Sequence, residues 1–236
     1  MSGGSASQAP APDVVLFDVV ETLFSLAPMR RRLDEVGAGE GALELWFARF
    51  LRDGFALACS GTYAPFREVA ASSLAGALRL RGVEPRAALV DHLLGALGEL
   101  EPYPDVRTAL ELLQARGIRT ATLTNGATAA TEHLLDRAGL AGLIGHRFSV
   151  ETSGAWKPRP EPYLDACRAL AVTRDRAALV AVHSWDIHGA AAAGLRTGWC
   201  SRLEGEFPPL FIPPTVRGAT LVEVAEQLVS GAWETP

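Results

Sequence analysis

Asp18 and Thr22 form the first of several polar segments that follow short apolar runs of this chain. Residues 14–17, Val-Val-Leu-Phe, are typical of a strand covered on both faces, and Asp18 comes directly after them. A carboxylate at such a strand end, with a hydroxyl four residues on, can attack an electrophilic centre and form an ester intermediate. Alternatively, Asp18 only caps the following helix, and this segment alone leaves both interpretations open.

Thr124, Asn125 and Lys157 are the polar residues of the second and third segments. Thr124 and Asn125 follow the apolar run 118–123 and offer a hydroxyl and an amide suited to holding a substrate oxygen, although an Asn-Gly pair is also a common turn. Lys157 stands before three prolines, at positions 158, 160 and 162, that stiffen the approach to a helix. A lysine fixed in this way can neutralise a nucleophilic carboxylate and an anionic substrate, whereas an unconstrained lysine is usually solvated.

The fourth segment carries His183, Trp185 and Asp186 beyond the apolar run 179–182. Asp186 can orient a hydrolytic water or pair with Lys157, and His183 can hydrogen-bond that water. Helix capping by Asp186 and a merely structural His183 are the alternatives, and we interpret His188 as structural.

The segments between these polar groups predict how they are positioned. Helical patterns at 106–115, 128–137 and 160–170 alternate with the apolar runs, which predicts βαβ units and a parallel sheet with ligands at its carboxyl edge. Residues 26–100 contain three helix-length stretches and no strand-like run. We therefore predict an α/β fold: a Rossmann-like core from residues 14–25 and 101–236, an inserted all-helical cap at 26–100, and a disordered leader at 1–13.

Composition narrows the class of protein. The 22 basic and 27 acidic residues give a net charge of -5 with no long basic run, which argues against nucleic acid as a partner. The three cysteines form no metal-binding or disulfide pattern, and no apolar run approaches the ~18 residues of a membrane span. These features favour a cytoplasmic protein that has no membrane partner and acts on a small molecule. The apolar content of the cap suggests a homodimer as a further hypothesis.

Together the four segments resemble the haloacid dehalogenase-like superfamily. Its pattern is a nucleophilic Asp after the first strand, then Ser or Thr, then Lys, then an acidic motif, and Asp18, Thr124, Lys157 and Asp186 stand at those places. The resemblance covers about residues 14 to 199 and implies a Rossmann-like core with a helical cap.

The residue two positions after the nucleophile distinguishes the branches of this superfamily. Its phosphatases carry a second Asp there as general acid, whereas this chain has Val20, and a single Asp186 replaces their usual acidic pair. Weak or absent Mg²⁺ binding is therefore expected. The L-2-haloacid dehalogenase branch needs neither feature, and its motifs are similar to Asp18, Thr22, Lys157, Tyr163 and Trp185-Asp186. The resemblance implies metal-independent SN2 displacement of halide by Asp18, without a cofactor, followed by ester hydrolysis.

Three positions depart from the dehalogenase pattern. His183 stands where Asn is usual, Glu21 where Gly is usual, and Phe47 where a cap Arg binds the substrate carboxylate or halide. Arg49 or Arg52 is the candidate substitute for that Arg. The expected substrate-binding set is Thr124, Asn125, Tyr163, Trp185, Arg49 and Phe47.

Two other functions stay open from the sequence. One is a Mg²⁺-dependent phosphatase acting on a small phosphorylated metabolite, which Val20 disfavours. The other is a catalytically silent binding module, which the departures at positions 20, 21 and 47 permit.

Overall fold

A six-stranded parallel sheet forms the centre of the molecule. The computed structural model describes residues 10–231. The strands are β1 Val14–Phe17, β2 Phe24–Ser25, β3 Glu101–Pro102, β4 Arg119–Thr124, β5 His146–Ser149, β6 Ala177–Ala181, β7 Arg196–Cys200 and β8 Val216–Gly218. The large sheet has the order β5-β4-β1-β6-β7-β8, so β1 lies between β4 and β6 and their carboxyl ends meet.

Helices cover both faces of this sheet and also form the block between β2 and β3. They are α1 Ala27–Glu35, α2 Ala42–Ser60, α3 Phe66–Leu80, α4 Ala87–Gly95, α5 Val106–Ala115, α6 Thr128–Arg137, α7 Val150–Ser153, α8 Pro160–Ala169, α9 Ser184–Ala192 and α10 Leu221–Ser230.

The four residues of β1 show why this strand is central. Val15 and Phe17 pack into one apolar cluster, with side chains of α5 and α10, whereas Val14 and Leu16 pack into another, with side chains of α8 and α9. Since side chains alternate across a strand, an uninterrupted apolar run is what a strand covered on both faces requires. Burial of all four residues fixes the point where the chain leaves the sheet, which is Asp18.

The predicted α/β fold with an inserted helical cap is confirmed. The predicted helices at 106–115 and 128–137 match α5 and α6, and the cap additionally contains α1, which the sequence patterns did not reveal. The antiparallel pair β2–β3 joins the core to the cap, while the exact boundaries at 26 and 100 stay an interpretation.

Most of the predicted leader, residues 1–9, lies outside the described residues. Asp13, its last residue, forms an ion pair with Arg176. Within the described part of the chain, no helix combines the length and apolar character needed to cross a membrane.

Candidate active site

Lys157 links the two carboxylates at the carboxyl edge of the sheet. Its Nζ lies 3.0 Å from Oδ1 of Asp18 and 2.6 Å from Oδ2 of Asp186, and it also donates to the carbonyl oxygen of Leu123 at 2.9 Å. Lys157 and Asp186 are fully buried and Asp18 nearly so. The arrangement holds one cation between two anions, away from solvent.

The charges of this cluster set its protonation. Burial by itself raises the pKa of Asp18, but the charge of Lys157 and the hydrogen bond with His183 lower it well below its usual range. Burial and the neighbouring Asp18 raise the pKa of Asp186, against the opposing charge of Lys157. Asp18 is therefore an anion throughout the neutral range, as a nucleophile must be.

Thr22 and His183 contact the second carboxylate oxygen of Asp18. The Thr22 hydroxyl donates to Oδ2 at 2.8 Å and accepts from the backbone N–H of Val182 at 3.2 Å. Nδ1 of His183 lies 3.2 Å from the same Oδ2. Since the other oxygen is held by Lys157, the carboxylate has one fixed orientation.

Asn125 and Tyr163 support the two ends of the Lys157 bridge. The side-chain oxygen of Asn125 accepts from the backbone N–H of Lys157 at 3.0 Å, and the Tyr163 hydroxyl donates to Oδ1 of Asp186 at 2.5 Å. Thr124 accepts from the backbone N–H of Gly126 at 3.0 Å, which orders the turn after β4. In this structure Asn125 and Thr124 thus fix the backbone around the cluster.

His183 lies between two aromatic rings. Its ring centroid is 5.6 Å from that of Phe47 in the cap and 5.5 Å from that of Trp185. Nε2 of His183 and Nε1 of Trp185 are buried, and neither has a hydrogen-bond partner among the described residues. Buried polar atoms without partners are costly, so these two nitrogens are candidates for contact with a ligand.

The two cap arginines differ in their surroundings, and Nε of Arg49 is buried without a hydrogen-bond partner among the described residues. Arg49 packs beside Gly76 of α3, with a guanidinium nitrogen 3.5 Å from an ideal Cβ position there. Arg52 is exposed and pairs with Asp53. In the described part of the chain, neither forms a hydrogen bond or ion pair with Asp18. Phe47, which stands at the position expected for the substrate-binding Arg, has its ring 5.6 Å from that of His183.

Glu21 has a structural role that its sequence position did not reveal. Its φ of 64° lies in the left-handed region, which explains why Gly would be suited there. Its carboxylate accepts from the backbone N–H of Leu26 at 2.6 Å and from the hydroxyl of Tyr103 at 2.8 Å. Glu21 therefore joins the chain entering the cap to the chain leaving it.

Trp156 is a further residue whose role the sequence did not predict. Its indole N–H donates to the carbonyl oxygen of Ala64 at 3.0 Å, and its ring stacks on Phe66, both in the cap. The signal available in the sequence was an aromatic residue directly before Lys157, but an isolated Trp is more often a core residue. In the structure it connects the cap to the loop that carries Lys157.

Comparison with known proteins places this chain in a family. The model of the haloacid dehalogenase-like hydrolase family matches residues 12–194. The chain belongs to this family. The predicted resemblance is thereby confirmed.

The relatives of this hydrolase include proteins named as dehalogenases. It is 33% identical over 201 residues to (S)-2-haloacid dehalogenase 4A of Burkholderia cepacia, covering 83% of this chain and 87% of that protein. It is 31% identical over 216 residues to (S)-2-haloacid dehalogenase 1 of Pseudomonas sp. (strain CBS-3), covering 91% and 95%. The structure of L-2-haloacid dehalogenase from Xanthobacter autotrophicus with chloropropionic acid covalently bound has a TM-score of 0.83 and 25% identity, covering 92% and 98%.

The donor set of this haloacid dehalogenase-like hydrolase fits a divalent cation poorly. The ammonium of Lys157 already lies between the carboxylates of Asp18 and Asp186. The side chain of Val20, two residues after the nucleophile, supplies no oxygen ligand, and Mg²⁺ requires several. Among the described residues, no group of three or more His, Cys, Asp or Glu side chains is placed to hold a metal.

Proposed function

We propose that this protein is a metal-independent hydrolase that removes halide from a small 2-haloacid, with Asp18 as nucleophile. The observation that carries the proposal is the environment of Asp18: an ionised carboxylate held by Lys157 and Thr22, with Val20 in place of a neighbouring acid. Halide leaves without protonation, so the reaction needs no acid there. The names of the relatives support the same substrate class.

In the first step, a carboxylate oxygen of Asp18 attacks the halogen-bearing carbon of the substrate. The carbon–oxygen bond forms as the carbon–halogen bond breaks, and halide departs with the bonding electron pair. Asp18 then carries the substrate as an ester and has lost its negative charge. The ammonium of Lys157 holds the attacking carboxylate in position before this step.

In the second step, water attacks the ester carbonyl carbon of Asp18. We assign the orientation of this water to His183, whose Nδ1 faces Asp18, and acceptance of its proton to Asp186, whose pKa burial raises. Both Asp186 oxygens accept hydrogen bonds but keep further lone pairs. The tetrahedral intermediate then collapses as the bond between the carbonyl carbon of Asp18 and the substrate oxygen breaks. The departing alkoxide takes up the proton held by Asp186 and leaves as the 2-hydroxyacid. The second proton of the water passes to solvent as the carboxylate of Asp18 is restored.

The remaining predicted site residues are assigned by their positions. Trp185 and Phe47 border the reacting centre through His183, and Tyr163 orients Asp186. Thr124 and Asn125 shape the turn facing the substrate. Arg49 is left out of the proposed site because it packs on α3.

We further propose that the protein works in the cytoplasm on a small anionic substrate, without a nucleic-acid or membrane partner. The acidic net charge of -5 supports the absence of a nucleic-acid partner. A homodimer formed through the cap is also proposed, on the apolar content of its helices.

Halide release from (S)-2-chloropropionate by EDTA-treated protein tests the proposal. We expect turnover without added metal, loss of at least a thousandfold in Asp18→Asn, and no change in the control Asp34→Asn, which alters an exposed carboxylate. A single turnover in ¹⁸O-labelled water should place ¹⁸O in Asp18, measured by mass spectrometry. Metal-dependent cleavage of p-nitrophenyl phosphate without halide release would instead establish the phosphatase alternative.

A further inference from the structure

A cavity of about 410 Å³ lies between the cap and the core beside the candidate active site. Its walls come from the start of α3, the residues around the end of α4, and the core helix α6. The lining is mainly aliphatic: Val19, Val20, Leu94, Leu97, Leu100 and Leu134. An apolar space of this size falls within the range of small-molecule pockets, about 300–1,000 Å³.

Residues that line the cavity are neighbours of the nucleophile Asp18 in the sequence. Val19 and Val20 directly follow Asp18 and line it. Thr124 also lines it and directly follows Leu123, whose carbonyl oxygen accepts from the Lys157 ammonium that contacts Asp18. Because consecutive Cα atoms lie about 3.8 Å apart, the wall of the cavity begins next to the nucleophile, while Asp18 itself is not part of the lining.

The charges around the cavity argue against a polar occupant. Arg67 and Glu151 are the charged residues of the lining, and both are exposed. Arg67 is already paired with Asp91 at 2.8 Å. The buried wall at Val19, Leu94 and Leu134 offers an occupant only aliphatic contacts.

The volume exceeds what the smallest haloacids require. It is more than ten times the roughly 30 Å³ that one water molecule takes in the liquid. The single methyl group of a 2-halopropionate would leave most of it unfilled, and an unfilled apolar cavity forfeits contacts that a longer chain would make.

We propose that this cavity receives the alkyl tail of the substrate, so that the preferred substrates are 2-haloalkanoates with a tail of several carbons. This inference rests on the proposed dehalogenase function for the reaction, but the tail-binding site itself is independent of turnover. The carboxylate and halogen stay at the Asp18 cluster, and the tail extends past Val20 towards Leu97 and Leu134.

A chain-length series of 2-bromoalkanoates measures the effect on turnover. Burial of each methylene should raise kcat/KM by roughly fourfold, so 2-bromohexanoate should exceed 2-bromopropionate by at least tenfold. Values of kcat/KM that stay flat or fall beyond propionate would overturn the proposal.

Unhalogenated alkanoates test the cavity without any reaction. Calorimetry should show tighter binding of hexanoate and octanoate than of acetate; affinity independent of chain length contradicts the tail site. If affinity rises with chain length but no bromoalkanoate releases bromide, the tail site stands and the proposed dehalogenation fails.

Two filling variants locate the effect in this cavity. Ala130→Phe adds bulk from α6 and Leu97→Trp adds it from the cap wall, and both should reduce the hexanoate-to-acetate affinity ratio to within about threefold of unity. Ala129→Phe, an exposed neighbour of Ala130 outside the lining, should keep the wild-type ratio. A wild-type ratio in both filling variants would place the tail elsewhere and reject the assignment.

Discussion

Gly54 of the cap helix α2 lies so close to Trp156 of the core that an ideal Cβ atom at position 54 would be 2.7 Å from a carbon of the indole ring. This distance is shorter than carbon atoms tolerate, so only glycine fits there. Trp156 directly precedes Lys157, which contacts both carboxylates of the site. Packing of the cap on the core and placement of Lys157 therefore depend on the same indole ring.

Gly54→Ala should destabilise the protein although alanine is the better helix former. The added methyl group must displace the buried indole, and overpacking of this kind costs about 1–3 kcal/mol. The displaced Trp156 should also shift Lys157 and lower kcat. Urea unfolding and halide-release kinetics measure the two effects.

Gly76→Ala in α3 is the matched control. The nearest atom to an added Cβ there belongs to Arg49, at an ordinary contact distance of 3.5 Å. The intrinsic preference for Ala in a helix, about 1 kcal/mol, should then appear as unchanged or increased stability. Equal effects of the two substitutions would show that the contact between Gly54 and Trp156 is not tight in solution.

Lys157→Met should destabilise the protein in a pH-dependent way. It leaves Asp18 and Asp186 buried without their cation, and breaking a buried ion pair costs about 3–5 kcal/mol at pH 7. Without Lys157 the folded-state pKa of each carboxyl rises above its unfolded value, so the cost is present at neutral pH and declines as pH falls towards about 4. Urea unfolding at pH 7 and pH 4.5 should show the difference from wild type shrinking by half or more.

In the wild-type protein, the ionisation of Asp18 should make folding stability change with pH in the opposite direction. Its lowered pKa contributes stability that is present above the unfolded pKa of about 3.9 and is lost as pH falls through the folded value. Arg52→Met is the control, because its ion pair with Asp53 is exposed and worth less than about 1 kcal/mol. A pH-independent loss in Lys157→Met would show that its effect is loss of packing alone.

The sequence could predict those candidate site residues whose positions follow from the ends of the parallel strands. The buried run before Asp18 had to be a central strand, and parallel strands bring their carboxyl ends together, so Thr124 and Asp186 followed from topology. The contacts between the cap and the core could not be predicted from the sequence in this way. The approach of Phe47 to His183 depends on how α2 lies over the sheet, which no local pattern encodes.

The position of Arg49 could not be predicted from the sequence for the same reason. Helical spacing places Arg49 two positions beyond Phe47, which on a helix turns the side chain to a different face. The structure accordingly packs Arg49 on Gly76, and Phe47 faces His183. Spacing alone could not show which of the two faces the site, because that depends on the rotation of the whole helix.

Phe47 and His183 should be energetically coupled. Their ring centroids are 5.6 Å apart, and each replaces a residue usual in the dehalogenase branch, Arg and Asn. Phe47→Arg alone places a guanidinium against the imidazole ring of His183, whereas in the His183→Asn background the guanidinium gains an amide oxygen as a hydrogen-bond acceptor. We expect Phe47→Arg to improve kcat/KM for 2-chloropropionate more in the Asn background, with a coupling of about 0.5–3 kcal/mol.

A double-mutant cycle on kcat/KM measures this coupling. Ala48→Arg is the control, because Ala48 is an exposed neighbour of Phe47 on the same helix. Its effect should be the same in both backgrounds. Additive effects of Phe47→Arg and His183→Asn would contradict a functional contact between the two positions.

Tyr103→Phe should weaken the connection between cap and core, and the loss should depend on pH at the alkaline end. Burial and the hydrogen bond to Glu21 raise the pKa of Tyr103 to about 12, so its proton contributes stability that is fully present below the unfolded pKa of about 10 and is lost as pH rises towards 12. At pH 8 the variant should lose about 1 kcal/mol, a modest value because the phenol is only partly buried. Urea unfolding should show this difference at pH 8 and its decline at pH 11.

Tyr63→Phe removes a hydroxyl with no hydrogen-bond partner among the described residues and should leave stability at pH 8 unchanged. A difference for Tyr103→Phe that is equally large at pH 8 and pH 11 would show that the bond to Glu21 does not hold the phenol proton.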